Sequence, residues 1–259
     1  MTDTPGASDL PADYSLLRRS CEPCTLRQFC AQAELRFEEV RRRGMFGRRE
    51  PLARGERLFR PGDMQAAVYV VRSGALKTVV GTADGEDCML GFHLPGELVG
   101  LDALASGQHQ CEAIALVNSQ VCAIPYAGLA GLTAGEPELN RRLLGVFGGA
   151  QCGHAHVQML VRRQADERIA MFLLDMQQRY RRMGGTHAKI MLPMSREDVA
   201  RYLGLALETV SRGLSRLQDL GIIAVAGRQI EVLDHAALTQ LAGSPPDAGH
   251  GDEPLDQRA

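Results

Sequence analysis

Apolar positions follow two rhythms along this chain. From about 52 to 126, β-type runs (Val68-Tyr69-Val70-Val71, Ala75–Val80, Val121–Ile124) alternate with turn clusters. The clusters are Arg60-Pro61-Gly62-Asp63, Arg72-Ser73-Gly74, Ala83-Asp84-Gly85 and Leu94-Pro95-Gly96-Glu97. Short strands punctuated by glycine-rich turns predict a closed all-β roll or barrel. From about 136 to 166 the spacing changes to three and four. Leu143, Val146, Ala150, Gly153, Val157 and Leu160 form a heptad seam on a long helix. Gly145, Gly148, Gly149 and Gly153 each cost that helix roughly 1 kcal/mol relative to alanine, so it needs a partner. The partner is either the helix's own domain or, as the seam favours, the same helix of a second copy.

The C-terminal pattern is sharper. Ser195-Arg196-Glu197-Asp198 has the form of a capping box, opening a helix that runs to Leu203 and stops at Gly204-Leu205. A second helix is expected over Ala206–Leu220, closed by Gly221. Ile222–Val225 and Gln229–Leu233 then flank Ala226-Gly227-Arg228 as a β wing. Two short helices joined by a glycine turn make a helix-turn-helix. At 100° per residue Val210, Leu214 and Leu217 share an apolar face, while Glu208, Ser211, Arg212 and Ser215 share the opposite one. That quartet suits a DNA major groove: arginine pairs with guanine O6 and N7, glutamate accepts from cytosine N4, and serine does either. A surface ion pair between Glu208 and Arg212 is the plainer alternative. Arg201, Arg216 and Arg228 are candidate phosphate contacts or simple surface charges.

Composition narrows the class. With 259 residues, 45% hydrophobic and 23% charged, the chain has room for about two globular domains. Its formal charge of −2 neither favours nor excludes nucleic acid. No apolar run is long enough for a membrane span, and Met1–Pro11 lacks the basic and apolar halves of a secretion signal, so a cytoplasmic, membrane-free protein is expected. Residues 1–13 and 244–259 have the composition of disordered tails. Seven cysteines then point to a reducing compartment, with thiols free or bound to metal. Three lie close together as Cys21-x2-Cys24-x5-Cys30. From spacing alone they are metal ligands, a thiol/disulfide switch or unliganded thiols. Zinc usually takes two closely spaced pairs, and a second pair is missing. The seven histidines (His93, His109, His154, His156, His187, His235, His250) are scattered, and no nucleophile–base set emerges, so an enzyme is not expected.

Two stretches carry a family resemblance. Leu203-Gly204-Leu205-Ala206-Leu207-Glu208-Thr209-Val210-Ser211-Arg212 resembles the recognition element of the CRP/FNR superfamily, and Gly91-Phe92-His93-Leu94-Pro95-Gly96-Glu97-Leu98-Val99-Gly100 resembles its β-roll. The resemblance covers about 21–243. It implies an α+β chain: a cluster-binding segment over 1–30, a cyclic-nucleotide-binding-like β-roll (jelly roll) over 31–135, a dimerisation helix over 136–166 and a winged helix-turn-helix over 167–243. It also implies a homodimer on a palindromic double-stranded DNA operator, with contact to RNA polymerase, including its sigma subunit. The loop Thr82–Asp87 is a candidate for the sigma contact, or merely a solvated turn. Glu208, Ser211 and Arg212 resemble the FNR-class reading set, which implies TTGAT-like half-sites and oxygen-responsive control of anaerobic genes.

The resemblance further implies that Cys21, Cys24 and Cys30 ligate a [4Fe–4S] cluster. Val121-Cys122-Ala123-Ile124-Pro125 matches the strand holding the family's fourth ligand, so that role carries to Cys122. Cys111 corresponds to a non-ligand, and Cys88 and Cys152 read as ordinary thiols. Where the cAMP-binding branch places Arg-Ser and a ribose-binding glutamate, this chain has Gln110-Cys111 and Leu101, so no cyclic nucleotide is expected. A regulator sensing another small molecule, haem or thiol redox state is the competing reading.

Overall fold

Turn chemistry and strand alternation build the N-terminal half. The computed structural model describes residues 49–81, 87–126, 141, 144–145, 163–184 and 189–243. Eight strands, β1 (Arg49–Leu52), β2 (Arg57–Phe59), β3 (Ala67–Ser73), β4 (Leu76–Gly81), β5 (Asp87–His93), β6 (Leu98–Val99), β7 (Glu112–Ala115) and β8 (Ser119–Pro125), pair antiparallel into two sheets, ordered β1-β8-β3-β6 and β2-β7-β4-β5. Their facing residues, among them Leu52, Phe59, Tyr69, Val71, Leu76, Val99 and Val121, interlock as one apolar interior. This is the roll that the short runs and turns predict. At the β3–β4 turn Gly74 has φ 80°, and an added Cβ would meet Ser119 Oγ at 2.2 Å and Asn118 O at 2.7 Å. Only glycine fits so close to another backbone.

The C-terminal half is helical with a wing. It comprises α1 (Ala165–Arg182), β9 (Lys189–Met191), α2 (Arg196–Leu203), α3 (Leu207–Asp219), β10 (Ile223–Ala226), β11 (Gln229–Val232) and α4 (His235–Leu241). The wing strands pair from Ile223↔Val232 to Ala226↔Gln229, and β9 adds a third strand against β11. The expected boundary at 166/167 falls inside the first turn of α1, whose N-cap position is Gln164. Among the described residues, no helix is long and apolar enough to cross a membrane.

The roll and the helical half share a core. Val79, Met89, Phe92 and Leu94 of the roll join Phe172, Leu173 and Met176 of α1, together with Val199, Val210 and Leu214 of the helix pair, in a single buried cluster.

Candidate nucleic-acid interface and sensor residues

Local capping sets the helix pair. Ser195 Oγ accepts the Asp198 backbone N–H at 3.0 Å, and the Asp198 carboxylate accepts the Ser195 N–H at 3.0 Å and hydroxyl at 2.7 Å. This is the reciprocal capping box expected from the sequence. Gly204 ends α2 at φ 62°. Arg168 of α1 donates to the carbonyls of Leu203 (3.0 Å) and Gly204 (3.4 Å), pinning the turn to α3. No sequence pattern pointed to Arg168, because the acceptors are backbone carbonyls 35 and 36 residues away.

On α3, Val210, Leu214 and Leu217 are buried, as the helical period predicts, together with Gly213. Glu208, Arg212 and Ser215 are exposed and Ser211 is half-buried. Among the described residues no ion pair joins Glu208 to Arg212. A cleft of about 270 Å³ opens beside this face, lined by Gln164, Ala165, Asp166, Thr209, Arg212 and Arg216. The three candidate phosphate-contacting arginines have partners within the chain. Arg201 pairs with Glu197 at 2.8 Å, Arg216 pairs with Asp166, and Arg228 donates to the Pro193 carbonyl at 2.9 Å.

Of the four candidate cluster ligands, Cys21, Cys24 and Cys30 lie outside the described residues. Cys122 is buried in β8, opposite Val70 on β3. Its neighbours Val121 and Ala123 belong to the roll interior, so alternation puts Cys122 on the other face, with Val68, Val70 and Ile124. A soft sulfur donor among apolar neighbours is chemistry that an iron–sulfur site accepts. Cys111 lies inside the roll, where burial, and then the Asp102 carboxylate, push its thiol up to about 12. Since the thiolate is the ligating form, Cys111 is poorly suited to metal. Cys88 is exposed on β5. Among the described residues no group of three or more His, Cys, Asp and Glu side chains is arranged to hold a metal ion.

Sequence reading missed a polar knot beside Cys111. Asp102 accepts the backbone N–H of Gln110 at 2.7 Å and of Cys111 at 3.3 Å, and meets His109 Nδ1 at 3.2 Å. His109 is 2% exposed and stacks on Phe59 with centroids 3.6 Å apart. The Gln110 amide donates to Ser106 Oγ and the Gln108 carbonyl. A carboxylate of the chain itself thus occupies the Gln110 and Cys111 N–H groups.

The seam residues Leu143, Val146, Ala150, Gly153, Val157 and Leu160 lie outside the described residues, as do 82–86 of the candidate polymerase loop. Arg141, Leu144 and Gly145 are helical, and Leu144 is 61% exposed.

Comparison with known proteins agrees with this architecture. Residues 49–135 match the model of the cyclic nucleotide-binding domain, and residues 167–241 that of the Crp-like helix-turn-helix domain. The chain is 36% identical over 225 residues to the fumarate and nitrate reduction regulatory protein of Escherichia coli (strain K12), covering 86% of this chain and 90% of that one. It is 40% identical over 230 residues to the transcriptional activator protein Anr of Pseudomonas protegens, covering 86% and 92%. The solved structure of FixK2 from Bradyrhizobium japonicum matches with a TM-score of 0.70 at 31% identity, covering 77% of this chain and 98% of that one. A CooA mutant from Carboxydothermus hydrogenoformans matches with a TM-score of 0.62 at 18% identity, covering 80% and 94%, a likeness of fold alone.

Proposed function

This chain belongs to the CRP/FNR family of transcription regulators, and on that footing we propose that it is an oxygen-responsive regulator of anaerobic gene expression. It binds TTGAT-like inverted repeats as a homodimer and carries a [4Fe–4S] cluster. The observation that carries the DNA-binding reading is α3: Glu208 and Arg212 stand exposed opposite the buried Val210, Leu214 and Leu217. Two such helices in a symmetric dimer would enter successive major grooves about 34 Å apart. Arg212 would read guanine, Glu208 would accept from cytosine, and Ser211 would adapt between them.

Cys21, Cys24, Cys30 and Cys122 would hold the cluster, which when bound supplies an oxygen-labile link between the N-terminal segment and β8. Pairing then falls to the helix at 136–166, along Leu143, Val146, Ala150, Gly153, Val157 and Leu160. A seam weakened by glycine suits a switch, since a population shifts only when its two states differ by a few kcal/mol. Effector control by a cyclic nucleotide is disfavoured, because Gln110-Cys111 offers no cation for a phosphate and the Asp102 carboxylate already takes the Gln110 and Cys111 N–H groups. Contact with RNA polymerase, including sigma through Thr82–Asp87, completes the reading of an activator.

The test is operator binding by anaerobically purified protein before and after exposure to air. About four irons and four sulfides per chain, with tight binding lost in air, are expected. Metal-free protein that is equally dimeric and binds as tightly would overturn the reading.

A further inference from the structure

Two half-buried polar ties fasten the roll to the reading module. Arg179 of α1, with its side chain 11% exposed, grips Glu97 bidentately, Nε to Oε1 at 2.8 Å and Nη2 to Oε2 at 2.5 Å, and donates to the Phe92 carbonyl at 2.6 Å. Lys77 on the outer face of β4 reaches Asp198 at 2.6 Å, so its ammonium sits on the carboxylate that caps α2. Between the two ties, Phe92 lies 5.0 Å from Tyr202 of α2 and 6.3 Å from Phe172 of α1, centroid to centroid. The apolar cluster is continuous across the same boundary.

We infer that Lys77 and Glu97 are positioning residues that set which half-site spacing the dimer accepts. The inference rests on the DNA-binding reading above. Neither residue lies on the reading face of α3. Each instead holds an element that carries α3: Glu97 holds α1, against which Gly213 of α3 is seated, and Lys77 holds the N-terminus of α2. Arg168 and the Gly204 turn then make α2 and α3 move together. A bidentate guanidinium–carboxylate pair fixes direction as well as distance, and this one, half-buried and held also by the Phe92 carbonyl, cannot slide without breaking three charge-assisted hydrogen bonds at once. The orientation matters because α1 has 18 residues and is about 27 Å long. Turning it by about 10° moves its far end by about 5 Å, more than the 3.4 Å rise of one nucleotide. A loosened joint would therefore let the two reading helices match several spacings, where a fixed joint matches one.

The experiment uses the full-length chain, prepared anaerobically, with Lys77→Met, Glu97→Gln and their combination, and Lys77→Arg as the conservative control. Affinity is measured on duplexes carrying two TTGAT-like half-sites at a series of spacers, and on one carrying a single half-site. Wild type is expected to lose at least about tenfold in affinity for each base pair away from its best spacer. The combined variant should stay within about threefold across neighbouring spacers, while its single half-site affinity matches wild type. Lys77→Arg should retain the sharp profile, and each single removal should give an intermediate one, a pattern that a merely structural loss would not produce. A combined variant, or a well-folded single one, that keeps the wild-type spacing profile overturns the inference. Wild type that binds none of the duplexes would instead bring down the DNA-binding reading, and this inference with it.

Discussion

Gly213 lies against Ile169: a Cβ built on Gly213 would stand 2.4 Å from Ile169 Cδ1 and 3.3 Å from Asp166 Oδ1. The middle of α3 thus rides directly on α1, with Ile169 itself fully buried. Alanine at 213 would favour the helix by roughly 1 kcal/mol, but would force Ile169 off its packing, at a typical overpacking cost of about 1–3 kcal/mol. Gly213→Ala should therefore lower unfolding stability by about 1 kcal/mol, and Gly213→Val by more. Urea unfolding measures both, and an unchanged midpoint would mean that Ile169 moves aside freely.

Arg212 and Arg216 stand one turn apart on α3 with different surroundings: Arg212 is exposed on the polar face opposite Val210 and Leu214, and Arg216 is tied to Asp166. Arg212→Ala should weaken binding to the palindrome by about 1–3 kcal/mol per half-site and relax preference at a single base pair. Arg216→Ala should weaken all sequences about equally. Gel-shift titration against singly substituted operators separates the two patterns, and uniform weakening by Arg212→Ala would remove it from the reading set.

Cys122 and Cys111 are both buried, yet on opposite faces of the roll wall. With its thiol held up by burial and Asp102, Cys111 resists becoming the thiolate a metal needs. Cys122→Ala should abolish bound iron and sulfide in anaerobic protein, and Cys111→Ala should leave them in place. Iron analysis giving the reverse order would make Cys111 the fourth ligand.

Burial raises the Asp102 carboxyl, but the Gln110 N–H, His109 and Cys111 together outweigh it and hold the group below its ordinary value. A carboxyl held low in the folded chain contributes stability that is complete above its unfolded value, about 3.9, and lost as pH falls through the lower folded one. Below about pH 4 the wild type should accordingly lose stability more steeply than Asp102→Asn. Urea midpoints compared from neutral pH downward check this, and parallel acid limbs for the two proteins would show that the knot contributes nothing.

Much of the fold is legible from neighbours in sequence. The capping box at Ser195, the glycine stop at 204 and the wing turn at Gly227 each depend on residues within a few positions, so the helix pair and wing emerge within one or two residues of their predicted ends. The burial of Val210, Leu214 and Leu217 follows from period alone. Arg201, Arg216 and Arg228 illustrate the limit. They read equally as phosphate contacts or surface charges, and their partners Glu197, Asp166 and Pro193 range from 4 to 50 residues away.

Amino-acid order by itself determined β3, β4, β8, the capped helix α2, the wing and the polar face of α3, because each is governed by short-range sterics and hydrogen bonding. Tertiary structure alone decided that Lys77 meets Asp198, 121 positions later, that Arg179 meets Glu97, 82 positions earlier, and that Asp102 fills the loop before Cys111. Such pairings leave no periodic trace in the chain. They arise when separately formed layers dock and every charge drawn partly out of water must find an opposite charge or a hydrogen-bond partner, a condition set by the whole molecule.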